Sequence, residues 1–210
     1  QVVIQVTPGG HNLTPVKRVT QSCNALPRKI GVPCTHIKVV GHKPGILGTQ
    51  EGLYDQLEYL DKALEDYRYV GVGRDDGGTK SEYTAIFYNT NQYKLIEQKT
   101  YWLSETPGKP SVGWDAAMER ITTYARFIDR QAGDTLHVFN CHYDHMGQGA
   151  RENSSKLLLR LLADRGLTDK AVVVMGDFNA QPDAFLAEQA LIRIPVLEKC
   201  LQFELVFFQV

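Results

Sequence analysis

The stretch AVVVMGDFN, residues 171–179, decides the fold. Ala171–Met175 is a continuous apolar run, which predicts a strand that is buried on both faces. Gly176-Asp177-Phe178-Asn179 follows directly and introduces polar side chains where the strand ends. Rigid strand ends followed by an open loop commonly hold catalytic groups. The stretch therefore predicts a buried strand that leads into a candidate site.

The sequence on either side predicts further strands and two helices. Leu53, Leu57, Leu60 and Leu64 recur at helical spacing and predict one amphipathic helix, and Asn153–Asp164 predicts another. Two hairpins are expected, one turning at Asn89-Thr90-Asn91 and one turning at Gln131–Asp134. The predicted strands are Val2–Thr7, Ile46–Gln50, Tyr69–Val72, Tyr83–Tyr88, Tyr93–Trp102, Arg120–Ile128, Thr135–Cys141 and the apolar run already described. This order is typical of an α+β sandwich with helices outside, formed by residues 1–210 as a single domain.

The two ends of the chain carry weaker patterns. Pro15, Pro27 and Pro33 interrupt Asn12–Val40, which favours a loop with at most one short helix. Pro182 is a candidate first residue of another helix, and the apolar run Phe203–Val210 resembles a strand.

The composition limits the classes of function. Hydrophobic residues make up 43% of the chain and charged residues 22%, as in globular proteins, so disorder and fibres are poor interpretations. Lys and Arg (23) nearly balance Asp and Glu (24), for a formal charge of -1, whereas nucleic-acid binders usually carry a basic excess. Nucleic acid is thus a possible but disfavoured partner, and a small phosphorylated substrate is compatible.

Other partners and the compartment stay open. No apolar run is long enough to predict a membrane span, and no signal peptide is expected at the first residues. The four cysteines include no C-x-x-C pair; a Cys23–Cys34 bridge is a minor alternative. The sequence identifies neither a partner chain nor a compartment.

Polar residues cluster at the ends of three predicted strands, at 48–51, 140–145 and 176–179. A phosphoryl transition state carries negative charge, which a cation with hard oxygen ligands can offset. Glu51 offers a carboxylate for such an ion, and Asp177 could orient a water molecule or accept its proton. Asn179 and His142 could donate hydrogen bonds to phosphoryl oxygens. The residue types therefore favour phosphoester hydrolysis.

Each of these residues also has an ordinary structural interpretation. Glu51 could complement the dipole of the helix that follows it, and Asp177 with Asn179 could simply form a turn. His142 and His145 are too few to indicate a zinc site. Arg74-Asp75-Asp76-Gly77 would by default be a solvated turn.

Taken in order, these motifs resemble the endonuclease/exonuclease/phosphatase superfamily, and in particular its small bacterial metal-dependent hydrolases. The likeness covers roughly residues 43–182. The matching motifs are Gly48-Thr49-Gln50-Glu51, Val70–Gly77, Trp102–Pro107, Gly113-Trp114-Asp115-Ala116-Ala117, Asn140–His145 with Ala150-Arg151, and Gly176-Asp177-Phe178-Asn179.

The resemblance implies a four-layer α/β sandwich, with two mostly antiparallel sheets packed face to face and the site at one rim. It implies Glu51 as the main ligand of Mg²⁺ or Mn²⁺, and His142 and Arg151 near the scissile phosphate. It implies that Asp177 and Asn179 position water and stabilise the transition state. The remaining implied site residues are Arg74 and Trp114 for the substrate, and Asp144 and His145 in support of the pocket; for Trp114, as for Tyr83 and Trp102, core packing is the alternative.

Two parts of the family pattern are altered in this sequence. The family has a metal-site Asn at the end of its first strand, and the candidates here are Asn12, which we prefer, and Asn24. Relatives end with a Ser-Asp-His segment, but no His follows His145 here, so we expect the C-terminal strands of the sandwich to be missing. Three explanations are open: a fragment of a longer protein, an enzyme that takes its base from His145 or His142, or a relative without turnover.

The function predicted from these observations is metal-dependent hydrolysis of a small or sugar-like phosphate, as a phosphomonoesterase or a phosphodiesterase. A nuclease of the same family and a catalytically impaired ligand-binding relative are the alternatives.

Overall fold

The computed structural model describes residues 43–180 and the backbones of two short paired strands, β1 (Ile4–Gln5) and β2 (Thr14–Pro15). The predictions at Asn12, Asn24, Cys23–Cys34, Pro182 and Phe203–Val210 lie outside the described residues. The elements that follow are β3 (Ile46–Gly52), α1 (Tyr54–Ala63), β4 (Tyr67–Val70), β5 (Tyr83–Asn89), β6 (Tyr93–Trp102), β7 (Ile121–Asp129), β8 (Thr135–His142), α2 (Gln148–Asp164) and β9 (Val172–Asp177). Neither of the described helices combines the length and the apolar character that crossing a bilayer requires.

Two sheets make up the centre of the domain. The first has the strand order β3-β5-β4 and is antiparallel throughout. The second has the order β6-β7-β8-β9, antiparallel except for the parallel pair β8 and β9. The α+β sandwich of two mostly antiparallel sheets is therefore confirmed.

Apolar side chains fill three layers because successive residues of each strand point to opposite faces. Ile46 and Ile86 of the first sheet meet Phe127, Val138 and Met175 of the second sheet in the central layer. On the outer face of the first sheet, Leu57 and Leu60 of α1 cover Leu47, Ala85 and Phe87. On the outer face of the second sheet, α2 contributes Leu157, Leu158, Leu161 and Leu162. Helix, sheet, sheet and helix form four layers.

Three predicted details need correction. Leu53 is 48% exposed, because it precedes the first turn of α1 and lies off the apolar stripe that buries Leu57, Leu60 and Leu64. Helix α2 begins at Gln148 rather than at Asn153. The predicted strands at 83–88 and 93–102 exist, but they belong to different sheets and do not form a hairpin.

The turn between β5 and β6 explains the last correction. The Asn89 amide donates to the carbonyl of Gly45 (2.8 Å), and the Thr90 amide donates to the carbonyl of Asp66 (2.8 Å). These bonds hold the start of the turn to the first sheet, while the carbonyl of Gln92 accepts from the amide of Arg130, which directly follows β7 of the second sheet (2.8 Å). The segment is a crossover between sheets. The second predicted hairpin, β7 with β8, is confirmed.

Asn140 joins the two sheets through its side-chain amide. It is fully buried on β8, where its Nδ2 donates to the carbonyls of Thr49 (3.0 Å) and Ala85 (2.8 Å), and its Oδ1 accepts from Gln50 Nε2 (2.7 Å). Gly48 makes room for this amide, since a Cβ there would lie 2.8 Å from Asn140 Oδ1. The amide therefore fixes the spacing of the sheets close to the strand ends that carry polar residues.

We expect Asn140→Ala to destabilise the fold by about 2–5 kcal/mol, because it leaves several buried groups unpaired at roughly 1–3 kcal/mol each. Urea unfolding followed by circular dichroism measures this change. Asn91→Ala is the matched control: its amide bonds Asp66 at an exposed turn (2.8 Å), and its loss should cost no more than about 0.5 kcal/mol. Equal effects of the two substitutions would show that Asn140 does not brace the sheets.

Candidate functional site

The carboxyl ends of β3, β8 and β9 meet at one edge of the sandwich. His142 pairs with Asp177 across the parallel strands, so both side chains leave the second sheet at the same level. His142 Nε2 lies 3.9 Å from Oε1 of Glu51, which comes from the first sheet. The structure thus brings together Glu51, His142 and Asp177, which the sequence had placed at three separate strand ends.

Glu51 sits at an irregularity of β3. The pairing of β3 with β5 shifts register between Thr49 and Gly52, and Glu51 adopts a positive φ of 61°. Bulges near active sites re-aim a side chain, and a non-glycine residue with positive φ is held there by its surroundings. The side chain of Glu51 is 68% exposed, so its carboxylate projects from the rim.

Asp177 and Asn179 form the turn that follows β9. Asp177 Oδ1 accepts from the Asn179 amide (2.9 Å), and Asn179 Nδ2 donates to the carbonyl of Tyr143 (2.9 Å). Gly176 is required before this turn, because a Cβ there would lie 2.0 Å from the Cys141 carbonyl oxygen. The turn-forming interpretation accounts for these bonds, and it leaves Oδ2 of Asp177 and Oδ1 of Asn179 for other partners.

A buried arginine, Arg120, connects the residues at the end of β8, and sequence reasoning had not selected it. Its side chain is 5% exposed. Its Nε donates to Asp144 Oδ2 (3.1 Å), Nη1 lies 3.0 Å from His142 Nε2, and Nη2 lies 2.7 Å from His145 Nδ1. In the sequence it is marked solely by its place at the start of a predicted strand, which an ordinary strand-end charge would share.

Burial and neighbouring charges shift the pKa values of two residues in this cluster, His142 and Asp144. Burial and the neighbouring Arg120 charge lower the pKa of His142 to about 4, against the opposing effect of Asp177, so the ring is neutral at pH 7. Burial would raise the pKa of Asp144, but hydrogen bonds from the Gly147 and Met146 amides and from Arg120 outweigh it and lower that pKa to about 2. Asp144 therefore remains a carboxylate beneath the site.

Two further arginines, Arg151 and Arg74, have contacts in this part of the domain. Arg151, in the first turn of α2, donates to the carbonyl of Asp144 (3.0 Å). Arg74 is largely buried rather than solvated, with Nη1 2.6 Å from Glu82 Oε2 and Nη2 3.2 Å from the Met118 sulfur. Its charge is close enough to contribute to the lowered pKa of His142. Arg74 thus lies near His142, and Arg151 lies at the backbone of Asp144, two residues further along the chain.

The aromatic side chains considered for the rim are mostly part of the structure's interior. Tyr83 and Trp102 are buried, and the Trp102 indole donates to the Arg74 carbonyl (2.6 Å). Trp114 is half-buried against the layer between α2 and the second sheet, with a positive φ of 51°. Packing accounts for Tyr83 and Trp102, and Trp114 keeps an accessible edge.

Asp115 fixes the start of α2, and with it Arg151. Gly147 precedes this helix and supplies no side-chain cap. Asp115, from the loop before β7, instead accepts hydrogen bonds from the amides of Gly149 and Ala150. A remote carboxylate thus satisfies amides that a helix leaves unpaired at its first turn. This also explains why the helix begins earlier than the local sequence predicts.

The described residues offer few ligands for a metal ion. Within residues 43–180, no three His, Cys, Asp or Glu side chains are grouped closely enough to hold an ion by themselves. Gln50 Oε1, next to Glu51, is buried and accepts no hydrogen bond from the described part of the chain. The exposed carboxylate of Glu51 suits Mg²⁺, which retains several waters and takes one or two protein carboxylates.

We expect Asp115→Ala to destabilise the protein by about 1 kcal/mol, since capping residues contribute roughly 0.5–2 kcal/mol. Asp169→Ala is the control, because Asp169 is exposed and its contact with Lys170 (3.3 Å) lies at the surface. Urea unfolding would measure both variants, and hydrogen exchange at Gly149 and Ala150 would report the local loss. Unchanged exchange at these two amides would rule out the cap.

Comparison with known proteins gives a consistent set of matches. Residues 34–197 match the model of the Endonuclease/Exonuclease/phosphatase family. An uncharacterised protein of Acanthamoeba polyphaga mimivirus is 30% identical over 148 residues, covering 67% of this chain and 55% of the viral protein. Among solved structures, a mannosyl-6-phosphatase of Bacteroides thetaiotaomicron is 39% identical with a TM-score of 0.69, over 73% of this chain and 60% of that one. An endonuclease/exonuclease/phosphatase of Bacteroides vulgatus is 37% identical with the same TM-score, over 72% and 59%. The chain thus spans less than two thirds of the length of each of these three proteins.

Proposed function

This chain belongs to the endonuclease/exonuclease/phosphatase family, and on that premise we propose that it hydrolyses the phosphoester of a small, sugar-like phosphate with Mg²⁺ or Mn²⁺. Members of the family are hydrolases that act on phosphoesters, and they generally use divalent metals. The observation that carries the proposal is the approach of an exposed carboxylate, Glu51, to a buried neutral imidazole, His142, at 3.9 Å.

Glu51 is the residue that would hold the cation, together with Asn12 from the part of the chain outside the described residues. When bound, the ion would supply positive charge against the phosphoryl oxygens. The re-aimed backbone at Glu51 supports this assignment, because it directs a largely exposed carboxylate to the rim.

The chain's own residues would bind and orient the phosphate around that point. His142 would donate a hydrogen bond to a phosphoryl oxygen, and Arg151 and Arg74 would balance the substrate's negative charge. Asp177, with Oδ2 free of the turn, would orient the attacking water and take up its proton. Asn179 would hold this turn in place and present Oδ1 toward the water, while Asp144 and His145 would support the pocket wall.

A sugar phosphate is the favoured substrate class for two reasons. The solved relative at 39% identity is named as a mannosyl-6-phosphatase. The formal charge of -1 leaves no general basic excess for a polyanion, whereas a small phosphate needs only a few cationic partners, which Arg151 and Arg74 could supply. Trp114, with its accessible edge, is the side chain we propose to contact the sugar.

We expect Glu51→Gln to lower Mg²⁺-dependent hydrolysis of mannose 6-phosphate by about 10²–10³-fold, the usual cost of removing one preorganised electrostatic group. Glu65→Gln is the control: Glu65 is exposed like Glu51 but is not one of the proposed site residues, so its substitution should leave the rate unchanged. Released phosphate measured against Mg²⁺ and Mn²⁺ concentration provides the readout. Full activity of Glu51→Gln, or hydrolysis that persists in excess chelator, would overturn the proposal.

The nuclease alternative has a separate measurement. Nuclease action requires affinity for a polyanion that falls steeply as salt rises, because bound phosphates release counterions. We expect fluorescence anisotropy with single-stranded DNA to show no such affinity at 150 mM salt. A steep salt dependence combined with Mg²⁺-dependent cleavage would replace the sugar-phosphate assignment with a nuclease. Tight binding of a phosphate analogue in calorimetry, without turnover of any ester, would instead identify a ligand-binding relative.

A further inference from the structure

A second buried histidine, His137, lies near the start of β8, whereas His142 is the last residue of that strand. His137 is 7% exposed, and its Nδ1 lies 2.9 Å from the Tyr124 hydroxyl on β7. The proposed function makes no use of this ring. Because an imidazole changes its charge near neutral pH, the groups around His137 determine how this end of the domain responds to acid.

His137 completes a row of side chains across three strands. Arg126 on β7 is its direct partner, and Glu97 on β6 is the direct partner of Arg126. Side chains directly opposite each other in antiparallel strands are close neighbours, and like charges at such positions are destabilising. Arg126 Nε lies 3.5 Å from Glu97 Oε2, so the charges of the row balance while His137 is neutral. A protonated His137 would place two cations side by side.

The end of α2 adds another arginine to this row. Arg165, directly after the helix, donates from Nε to the Tyr101 hydroxyl (2.9 Å) and from Nη1 to Glu97 Oε1 (2.9 Å). Its guanidinium carbon lies 3.9 Å from the centre of the Tyr124 ring, whose hydroxyl contacts His137. Arg165 thus ties the end of α2 to the second sheet.

The charged groups around His137 include more cations than anions. Arg126 on β7, Arg165 after α2 and Lys170 before β9 are positive, and Glu97 on β6 opposes them. Burial is the largest cause that lowers the pKa of His137, and the three cations lower it further. The ring is therefore neutral at pH 7.

We propose that Glu97, Tyr124, Arg126, His137 and Arg165 form an acid-sensitive anchor, which releases the C-terminal end of α2 when His137 gains a proton. The new charge would face Arg126 and Arg165, which already share the carboxylate of Glu97. Arg165 is the group that yields, because it follows a helix end, whereas Arg126 and His137 are held in paired strands.

The direction of the pH effect follows from the binding of the proton to each state. Once the end of α2 is released, His137 titrates at its ordinary pKa of about 6.5. Above pH 6.5 neither state takes up the proton, and below it the released state takes it up first. Acid therefore favours release by up to about tenfold per pH unit, until the pH falls below the lowered pKa of the anchored state.

Hydrogen exchange at the end of α2 measures this release. The amides of Arg165, Gly166 and Leu167 donate to carbonyls of the last helical turns, so they exchange when these turns open. We expect their opening constants in the wild-type chain, corrected for intrinsic exchange, to rise by about tenfold between pH 7.5 and pH 5.5. In His137→Gln, whose polar side chain does not titrate, the rise should be absent.

Arg126→Gln tests the repulsion within the anchor. Removal of the cation opposite His137 should raise the pKa of His137 toward 6.5 and weaken the acid response of the three amides. Arg160→Gln is the matched control, because Arg160 is an exposed arginine of α2 outside the anchor. The C2–H resonance of His137, assigned with His137→Gln, measures the pKa in each protein.

The inference would be overturned if the three amides of the wild-type chain did not respond to pH, or responded equally in His137→Gln. A pKa of His137 at or above 6.5 in the wild-type chain would also overturn it, and that measurement requires no variant to fold. None of these readouts involves hydrolysis, so the anchor and the proposed function are tested independently.

Discussion

The side-chain amide of Asn140 is the contact on which the geometry of the site depends. Asn140 lies between the sheets and bonds residues of β3 and β5, and the residue after its partner Gln50 is Glu51. Two residues along β8 from Asn140 comes His142, which lies 3.9 Å from Glu51. Glu51 and His142 come from different sheets, and apolar packing alone would let those sheets slide. Three directional hydrogen bonds in the interior remove that freedom.

The polar groups behind the site form a second level of organisation. Asp144 accepts from two backbone amides and from Arg120, and Arg120 in turn contacts both histidines. Each of these buried charges would be costly alone, and together they offset one another. The exposed edge carries the opposite arrangement: Glu51 has an uncommon backbone conformation and few internal partners. A binding site for a charged group requires side chains that are held in place by buried partners, together with polar groups that remain exposed to the ligand.

The sequence predicted the elements better than their pairing. Strands and their polar ends could be found because burial on one face imposes a two-residue period and burial on both faces gives a continuous apolar run. The run 171–175 correctly predicted a strand buried on both faces, β9, which lies at the edge of the second sheet as described. The hairpin at Asn89–Asn91 was wrong because contacts with Gly45 and Asp66, distant along the chain, hold that turn to the first sheet. The same limit applies to the start of α2, which Asp115 determines, and to Arg120, whose burial depends on partners more than twenty positions away. The motifs correctly indicated the family, while the roles of single site residues stay predictions.

The capping of α2 by Asp115 has a consequence for recognition. The first amides of a helix are a ready-made cradle for phosphate, but here acidic side chains already occupy them: Asp115 at Gly149 and Ala150, Asp144 at Met146 and Gly147. The backbone thus has little to offer an anion at this helix, and we propose that side chains such as Arg151 and Arg74 bind it instead. A single substitution replaces a side chain, whereas it leaves the peptide group in place. In a protein arranged in this way, substitutions of side chains can change which phosphoester is bound without a change in the backbone fold.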